Sequence, residues 1–422
     1  MRNIGIIGAG QGGLQLGFGL LAAGYDVTLY SDMTPEQLYE SGARPVTIQF
    51  APSHRHEDAL DLRFWKDQRH SHIDELFMTV FDPAGNQMLR VNADFEEPAQ
   101  TMDLRMKFSR WLQEFPARGG KVVTKRCDMD ALEHIAASHD LLVVAAGRGV
   151  FSDIFAVDES KMEFEEPQRQ VAMFYTRGAN MHAQLDSDRA ERRITRYSVV
   201  AGVGEVIMAP FLSKSGEEHH YVQFEGVPGQ GMDMFDPRGD VTEQYAKGLR
   251  WLEEHHPAIY ELVADSSLTP EAEWVCGRIL PTVREPVGRL PSGAIVMGLG
   301  DAVIVNDPIL AQGLNGASKW AALQCSQIIA RGDQDFSEAW MQECFEEYWA
   351  RAQYNLKLSA TGLKGPGPVQ QKIMGLASQD KTFANRFANC IGQAEMLHPW
   401  YWDDAAADQM IDTHRAGLRE AS

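Results

Sequence analysis

The sequence predicts an α/β protein in which a parallel-sheet domain is interrupted by an antiparallel-sheet domain and followed by a helical C-terminal appendage. A short apolar run at residues 3–7 leads through a glycine-rich turn into a helical pattern. Short strands separated by Gly, Ser and charged residues occupy about 160–290, as in an antiparallel sheet. The buried-strand pattern returns at 293–301, so the first domain is resumed there.

The first elements form a strand, a helix and a second strand. Leu14, Gly17, Phe18 and Leu21 follow the i, i+3, i+4, i+7 spacing of one helix face, and Gly24 is expected to end that helix. The run YDVTLYSD then predicts the second strand. This order is typical of a βαβ unit, whose two strands pair in parallel.

The later elements follow from the same periodicities. Helices are predicted at 102–115, at 243–256 and from Leu314 to Arg331-Gly332. Buried strands are predicted at 121–123 and 140–147, and strands of the antiparallel sheet at 170–177, 196–202, 205–212 and 219–226. The breaker KGPGP at 364–368 sets off the last part of the chain.

These elements predict three regions. The first is a discontinuous, Rossmann-type nucleotide-binding domain of residues 1–70, 98–158 and 288–335. The second is a substrate domain of residues 71–97 and 159–287, and the third is a helical C-terminal region of residues 336–422.

Composition and charge narrow the function classes. The 422 residues carry a formal net charge of −20, which disfavours nucleic acid and anionic membranes as partners. No apolar run approaches a membrane span and the start lacks signal-peptide features, so a cytoplasmic protein is expected. The scattered cysteines, odd in number and without a CxxC pair, predict reduced and mostly buried thiols: Cys127, Cys276, Cys325, Cys344 and Cys390.

The glycine-rich turn has the spacing of a dinucleotide fingerprint. Gly8, Gly10 and Gly13 stand in GxGxxG register, with Gln11 between them, directly between the first strand and its helix. The first glycine permits the turn, the second lets the backbone approach a pyrophosphate, and the third lets the helix pack on the strand. An acidic residue should hold the ribose after the second strand, where Ser31 occupies the expected position and Asp32 follows it.

A second motif distinguishes between the dinucleotides. The fingerprint alone serves NAD or FAD, but GLGD places Gly300 and Asp301 after a late strand, where Asp301 could hold a ribityl hydroxyl. The following helix, introduced by AQGLNGA, directs its N-terminal N–H groups towards the cofactor. A reduced flavin is anionic, and a helix N-terminus favours an anion by ~0.3–2 kcal/mol. These features favour FAD.

Together the motifs resemble one family. The GxGxxG turn, the GLGD return and especially DPILAQGLNGAS are similar to flavoprotein monooxygenases of the p-hydroxybenzoate-hydroxylase fold. Within that fold, VTLYSD, MDLR, ARGGKVV and DLLVVAAG resemble the styrene and indole monooxygenases, which are two-component epoxidases. The resemblance runs through most of residues 1–332 with the motifs in the same order.

The resemblance implies an FAD-dependent monooxygenase. In this family reduced FAD, taken up as a co-substrate, reacts with O2 to give a C4a-hydroperoxide that epoxidises an aromatic alkene such as indole or styrene. Oxygen transfer of this kind needs proximity and a dry pocket, so no side chain is assigned as catalytic. The expected partners are a small aromatic substrate, O2 and a separate NAD(P)H:flavin reductase, and a homodimer is compatible with the sequence.

The resemblance also assigns cofactor contacts. Arg105 in MDLR matches an arginine near the FAD phosphates, and Arg44 in ESGAR matches one near the flavin. Pro308 would lie beside the isoalloxazine ring, and backbone N–H groups would line its pyrimidine side at Gln312, Gly313, Leu314 and Asn315. For each arginine, a surface salt bridge is the alternative.

One position departs from the single-component hydroxylases of this fold. Those enzymes carry an Asp-Gly pair after the strand at 140–146, where this chain has Ala146 and Gly147. The missing carboxylate implies that no reduced nicotinamide docks there, which is why a separate reductase is expected.

The substrate pocket is predicted from two places. Thr47 and Gln49 in RPVTIQFAP follow the arginine where the family builds a pocket wall, and they are closer to the indole type. Apolar candidates come from the antiparallel sheet, although each could equally be core: Met173, Phe174, Met208 and Phe211. Indole, styrene and other aryl alkenes or sulfides remain alternatives.

Other chemistries are less well supported. Paired histidines, from His54 and His56 to His255 and His256, lie among polar residues, where solvated surface positions are favoured over a metal site. The HPWYW cluster from His398 to Trp402 is expected to be aromatic packing of the tail. A single-component NAD(P)H-dependent flavin hydroxylase, a nicotinamide-dependent dehydrogenase and a non-catalytic flavin-binding protein remain alternatives.

Overall fold

The computed structural model describes residues 2–147, 149, 151–185 and 189–421. The first part of the chain alternates strands and helices: β1 (Asn3–Ile7), α1 (Gln11–Ala22), β2 (Asp26–Ser31), α2 (Pro35–Tyr39), α3 (Ala51–Asp58), β3 (His72–Phe81), β4 (Gln87–Gln100), α4 (Leu104–Ala117), β5 (Lys121–Thr124), α5 (Met129–Ala137) and β6 (Leu141–Val144).

The middle part is mainly strands: β7 (Gln170–Arg177), β8 (Ile194–Val200), β9 (Gly204–Leu212), β10 (Glu218–Gly226), α6 (Val241–His255), α7 (Pro257–Val263), β11 (Ser267–Leu268), β12 (Trp274–Arg278), β13 (Thr282–Val283), β14 (Val287–Arg289), β15 (Ile295–Gly298) and β16 (Ile304–Val305). The last part is helical: α8 (Gln312–Arg331), α9 (Glu338–Lys364), α10 (Pro368–Ala377), α11 (Lys381–Cys390) and α12 (Asp404–Ala421).

The first sheet is a parallel sheet with an antiparallel edge. Within the described residues its strand order is β14-β15-β6-β1-β2-β5, and only β14 pairs antiparallel. Strand β1 therefore lies between β2 and β6, and its residues Ile4 and Ile6 are fully buried. The chain crosses from β1 to neighbours on both sides, which creates a crevice at the carboxyl ends of β1 and β6.

The second sheet builds the inserted domain. Its eight described strands run β11-β7-β10-β9-β8-β3-β4, with β12 also paired to β7. Nearly all neighbours are antiparallel as predicted, but β3 pairs with β8 in parallel. The long connection between these two strands, which contains the whole of the β4–β6 region, makes that parallel pairing possible.

The helical C-terminal region shares a core with the second sheet. Val91 and Ala93 of β4 pack in one apolar cluster with Ile373 of α10 and Phe383 of α11. Near them the rings of Tyr354 and His398 pack in a tilted arrangement, at 4.8 Å between ring centroids, so the HPWYW segment packs within the tail. The predicted α/β fold class, with its parallel and antiparallel sheets and helical tail, is confirmed.

Several elements begin or end differently from the sequence prediction. Strand β7 matches its predicted range, whereas the strand predicted at 140–147 ends at Val144 because the segment then turns into the crevice. Helices α3 and α5 were not predicted. Helix α3, with the sequence APSHRHED, has few apolar residues, whereas α5, with the sequence MDALEHIAA, has an apolar face at Ala131, Leu132 and Ile135 that was overlooked. Strands β3 and β4 extend the predicted 71–97 segment of the substrate domain to Gln100.

Candidate functional site

One cavity of about 1690 Å³ joins the two sheets. At one end it is lined by residues that follow the parallel strands β1, β2 and β6, and at the other by the face of the eight-stranded sheet. Ligands of open α/β sheets bind at such carboxyl ends. A pocket for one small ligand measures about 300–1,000 Å³, so this volume leaves room for a cofactor and a substrate together.

The glycine turn has the geometry of its fingerprint. Gly8 has φ +111°, and a Cβ there would lie 2.5 Å from the carbonyl oxygen of Ala145. A Cβ at Gly13 would lie 2.1 Å from the Gly8 oxygen, so helix α1 packs too closely on the turn for any side chain. At Gly10, which lines the cavity, a Cβ would meet nothing within 4 Å. This is the arrangement that lets a pyrophosphate approach the backbone at a helix N-terminus.

Ser31 and Asp32, which were predicted to hold the ribose, both line the cavity. Only one of the two side chains is free to bind a ligand. The Ser31 hydroxyl donates to the Met33 carbonyl oxygen at 2.7 Å and accepts from the Met33 N–H at 3.2 Å. It is therefore committed to the local turn. Asp32 is exposed on the cavity wall, which makes it the better candidate for a ribose hydroxyl.

The return motif lies beside the glycine turn: a Cβ at Gly12 would be 3.2 Å from the Leu299 side chain. Gly300, Asp301, Ala146 and Gly147 all line the wall. Gly147 has φ +71°, and a Cβ built there would lie 4.0 Å from the Asp301 Cβ, so the two motifs are adjacent. Ala146, where a single-component hydroxylase has a carboxylate, therefore lies in the crevice rather than in a distant turn.

Helix α8 begins at the cavity in a constrained geometry. Its N-cap Ala311 has φ +57°, an unusual conformation for a residue with a Cβ. Pro308, Gly313 and Leu314 line the cavity, and the first-turn N–H groups of a helix have no intrahelical partners. The Gln312 side chain points elsewhere, since its Nε2 donates to the Leu310 and Ile391 carbonyl oxygens at 2.7 and 3.0 Å.

The Asn315 side chain fastens helix α8 to the segment that carries Thr47. Its Oδ1 accepts from the Phe50 N–H at 3.0 Å and the Ser53 hydroxyl at 2.9 Å. Its Nδ2 donates to the carbonyl oxygens of Ile48 at 2.8 Å and Ala311 at 2.7 Å. Asn315 is fully buried and does not line the cavity, so its side chain shapes the wall rather than contacting a ligand.

The two arginines assigned by resemblance differ in position. Arg44 lines the cavity, and among the described residues no carboxylate forms an ion pair with it. Its Nε is buried without a hydrogen-bond partner, which fits a cation that a bound anion or carbonyl group would satisfy.

Arg105 lies elsewhere. It is 1% exposed, absent from the cavity wall, and held by Asp103 at 2.6 Å and by the Glu273 carboxylate. These carboxylates raise its pKa despite burial. The structure thus places Arg105 in a buried ion-pair network that ties helix α4 to the loop before β12, away from the predicted phosphate contact.

Gln49 also lies outside the cavity. Its Oε1 accepts from Lys107 Nζ at 2.7 Å, and its Nε2 donates to the Glu57 carboxylate. Lys107 and Glu57 form a buried ion pair at 2.6 Å, and Gln11 Nε2 donates to the same carboxylate at 2.9 Å. Of this buried cluster only Gln11 reaches the cavity wall, so it links the glycine turn to the segment around Gln49.

The apolar substrate candidates lie on two different faces of the sheet, because successive residues of a strand point to opposite faces. Met173 lines the cavity beside Thr47, whereas its neighbour Phe174 points to the opposite face and packs with Phe224 and Trp274. Successive residues of a strand alternate faces, so Met173 and Phe174 could not both reach the substrate. Met208 belongs to that opposite core as well.

Phe211 lies beyond the end of the cavity. It is fully buried and packs against Tyr175 at 5.0 Å between ring centroids. The structure therefore places Phe174, Met208 and Phe211 in the protein core, and leaves Met173 and Thr47 from the predicted substrate set on the wall.

A row of side chains crosses the middle of the sheet, and of its members sequence reasoning predicted Met173 and missed the others. Cross-strand pairing places Tyr197 opposite Ile207, Ile207 opposite Gln223, and Gln223 opposite Met173. All four line the cavity, and Val275 continues the row as the partner of Met173. Choosing every second residue of each predicted strand would have found them, once the facing side was known.

A buried acidic cluster lies in the neighbouring row. Glu205 and Glu225 are direct cross-strand partners, 3% and 0% exposed. Arg169 donates to both oxygens of Glu205 at 2.7 and 2.9 Å, whereas Glu225 Oε2 has no hydrogen-bond partner. Asp307 contributes another buried, unpartnered oxygen.

This charge imbalance shifts the pKa values of the acidic groups. Burial, followed by the charges of Asp307 and Glu205, raises the pKa of Glu225 well above its ordinary value. Burial raises the pKa of Asp307 to about 6. Arg169 is one cation among three carboxyl groups, so their burial and mutual repulsion favour the protonated forms relative to ordinary carboxyl groups.

The paired histidines correct one expectation. His54 is 1% exposed and His256 is 2% exposed, so neither is a solvated surface group. Burial lowers the pKa of both rings, which favours their neutral form. Within the residues that the structure covers, no His, Cys, Asp and Glu side chains gather in a group of three that could hold a metal ion.

The cysteines and the helix lengths complete the description of the predicted features. All five cysteines are free, but only Cys344 and Cys390 are fully buried, whereas Cys127, Cys276 and Cys325 are partly exposed. Among the described helices, none has both the length and the apolar character that a membrane crossing requires.

Sequence comparisons point to one family. Residues 147–261 match the family model described as "Styrene monooxygenase A putative substrate binding domain". The chain is 26% identical to the styrene monooxygenase StyA of Pseudomonas fluorescens, over 97% of this chain and 96% of that one. A StyA from an unspecified Pseudomonas also matches at 26% identity, with the same coverage.

Solved structures share the fold. The flavin-dependent brominase Bmp2 superposes with a TM-score of 0.69 at 13% identity, covering 98% of this chain and 99% of the brominase. The p-nitrophenol 4-monooxygenase PnpA from Pseudomonas putida DLL-E4 gives 0.61 at 13% identity, over 94% and 99% of the two chains. At such identities the likeness concerns the fold alone.

The comparisons confirm the predicted resemblance. The matches support a styrene monooxygenase-like family for this chain, and with it a flavin-dependent monooxygenase. The matched substrate-binding model covers strands β7 to β10, which form the face opposite the glycine turn.

Proposed function

We propose that this styrene monooxygenase-like protein is the oxygenase of a two-component system, which takes reduced FAD from a separate reductase and uses O2 to epoxidise a small aromatic alkene. The observation that carries the proposal is the continuous cavity that runs from the glycine turn to the central row of the eight-stranded sheet. Such a cavity can hold a dinucleotide and a ring-sized substrate side by side.

The residues of the cavity fit FAD. The open approach at Gly10 and the N-terminus of α1 suit the pyrophosphate, and Asp32 suits a ribose hydroxyl. Asp301 and Arg44, with the start of α8 at Gly313, would hold the flavin half. When bound, reduced FAD supplies the activation of O2 for transfer of one oxygen atom.

The protein's own contribution is to position the substrate and exclude water. Val46, Ile48 and Met173 make the wall near the flavin half apolar, and Met173 Sδ accepts from the Val46 N–H at 3.3 Å. A dry, close-fitting site favours oxygen transfer over loss of the activated oxygen to water. Styrene and indole both have the size and the electron-rich C=C that such a wall suits.

The reductase is inferred from Ala146. A nicotinamide-using relative would have a carboxylate at this cavity-lining position, and the chain contains no second GxGxxG motif for another dinucleotide. The StyA matches are consistent with an oxygenase that depends on a separate reductase.

The experiment supplies the protein with FAD reduced by a flavin reductase, then O2, and then styrene or indole. Styrene oxide by gas chromatography, or blue indigo from indole, supports the proposal. The matched control is Gly10→Asp, which keeps the substrate wall but blocks the pyrophosphate, and should give no product. Absence of oxygenated product from the wild-type protein, with FAD shown to be bound, would contradict an aromatic epoxidase.

A further inference from the structure

We propose that Gln223 selects the substrate by accepting a hydrogen bond from a ring N–H, so that the cavity prefers an N–H heteroaromatic ring to a hydrocarbon of the same shape. The inference rests on the proposed function, because it concerns the substrate of the same cavity.

Gln223 lies between apolar side chains of its own row of the wall, and the ion-paired Glu205 lines the cavity in the neighbouring row. Its cross-strand neighbours Ile207 and Met173 line the cavity on either side of it, and Val275 follows Met173. A planar ring that stands with one edge towards this row would direct an in-plane N–H at the amide, while its remaining edge and faces contact the apolar side chains on either side. Specificity in mostly apolar pockets comes from a few polar groups of this kind.

One end of the amide is fixed and the other faces the cavity. Gln223 Nε2 donates to the Glu225 carboxyl group, although Gln223 itself is only 4% exposed. Its Oε1 has no hydrogen-bond partner among the described residues, and it is not closed off from the cavity as the buried unpartnered oxygens are. A carbonyl oxygen held in this way is an acceptor without a donor, and buried polar groups are normally paired.

Glu225 fixes the direction of that amide. The Arg169 guanidinium donates to both oxygens of the opposing Glu205, so Gln223 is the group that donates to Glu225. A carboxyl group accepts from an amide N–H whether it is ionised or holds a proton, because its carbonyl oxygen remains an acceptor. In the observed arrangement Nε2 donates to Glu225 Oε1, which accepts in the ionised carboxylate and also when the proton is held on Oε2, so in both of these states the Gln223 carbonyl oxygen is directed into the cavity.

The chemistry of the matching ligand follows. An acceptor in this position binds a donor, and Ile207 and Met173 leave no room for a charged group without loss of its hydration. An uncharged donor attached to a flat, electron-rich ring is a pyrrole-type N–H. Tyr197, at the far end of the row, keeps its proton because burial raises its pKa, so it offers a donor of its own.

The test compares ligands that differ only in the donor. Indole and indene have the same ring framework, but indene lacks the N–H, and N-methylindole blocks it. Calorimetric titration of the protein saturated with oxidised FAD should show indole binding about tenfold more tightly than either analogue, which is the effect of one hydrogen bond. In Gln223→Met, of similar length, the preference should fall to about onefold.

Tyr197→Phe is the matched control, since it removes a polar group from the same row and should leave the tenfold preference in place. The inference is overturned if wild-type protein binds indole and indene equally, if Gln223→Met keeps the preference, or if Tyr197→Phe removes it instead. Failure of the proposed function has a different signature: the binding preference persists, but no ligand is oxygenated with reduced FAD and O2.

Discussion

The individual glycines of the GxGxxG turn differ in the space around them. Gly10 leaves an open approach to the backbone, whereas Gly13 leaves only enough room for the turn to pack. The GxGxxG spacing was visible in the sequence, and the structure gives each glycine a distinct steric surrounding.

Gly10→Asp should abolish FAD binding with little loss of fold, because its Cβ meets nothing within 4 Å but its carboxylate would face the pyrophosphate. Gly13→Ala is the contrasting variant, since its Cβ would lie 2.1 Å from the Gly8 oxygen and should destabilise the domain itself. Fluorescence titration of FAD and thermal unfolding distinguish the two effects. If Gly10→Asp binds FAD with wild-type affinity, the phosphate turn has been misplaced.

The acidic cluster makes a prediction about stability and pH. A carboxyl group whose pKa is raised in the folded protein binds its proton more tightly there than in the unfolded chain. Its contribution to stability is present below the ordinary carboxyl pKa and is lost as pH rises through the folded value. The contribution of this cluster to the free energy of unfolding should therefore fall as pH rises from about 4, first through the pKa of Asp307 at about 6. The buried rings of His54 and His256 contribute in the opposite direction, so the cluster's part is measured as the difference between wild type and a cluster variant.

Glu225→Gln should stabilise the protein at pH 8 by about 1 kcal/mol or more, because it removes a buried carboxyl group that lacks a counter-charge. Glu205→Gln should instead destabilise it by about 3 kcal/mol, because Arg169 then loses its ion-pair partner. Urea unfolding at pH 5 and pH 8 measures both. Equal effects of the two substitutions would show that the cluster does not have the charge balance described here.

The predicted site residues that lie on the cavity wall are mostly those whose place depends on the backbone, whereas those whose place depends on packing mostly lie elsewhere. Asp301, Pro308 and Gly313 lie on the cavity wall because a strand end and a helix start must meet there. Arg105 and Phe174 lie away from the cavity. Arg105 is held by Glu273 and Phe174 packs on Trp274, and no local sequence pattern reveals these long-range partners.

Among the secondary-structure elements, helix α8 has the greatest influence on the site. Its N-cap Ala311 and its residue Asn315 join the flavin end to the segment of Thr47 and Ile48. Helix α8 was predictable because its apolar period is long, whereas α3 was not, because its burial depends on the polar contacts of Ser53 and Glu57.

Asn315→Ala should lower the free energy of unfolding by about 2–4 kcal/mol, since the partners at Ile48, Phe50, Ser53 and Ala311 are all left unpaired. Ser53→Ala removes only one of those bonds and should cost about 1 kcal/mol. Hydrogen exchange should show faster exchange over residues 46–54 in Asn315→Ala. Protection of that segment at the wild-type level would mean that other contacts hold the wall.

The molecule as a whole is arranged around one cavity shared by a discontinuous parallel sheet and an inserted mixed sheet. The order of strand patterns along the chain was enough to predict that interruption. The shared core of β4 with α10 and α11 was not predictable, because it joins residues almost three hundred positions apart through apolar side chains without a motif.

Features from the whole chain indicate where the electrons for the flavin come from. Ala146 lies on the cavity wall where a carboxylate would serve a nicotinamide, and the sequence offers one GxGxxG motif. The net charge of −20 adds a general repulsion of the anionic NAD(P)H. Mixed anaerobically with FAD and NADH or NADPH, the protein should therefore leave the absorbance of the oxidised flavin unchanged for many minutes.

Dithionite or a separate flavin reductase is the positive control and should bleach that absorbance at once. Ala146→Asp is the matched variant: it restores the carboxylate, but without a second dinucleotide motif it should not by itself give rapid reduction. Fast bleaching by the isolated wild-type protein would mean that a nicotinamide reaches the flavin through this cavity. The chain would then act as a single-component hydroxylase, and the position of Ala146 would say nothing about its electron donor.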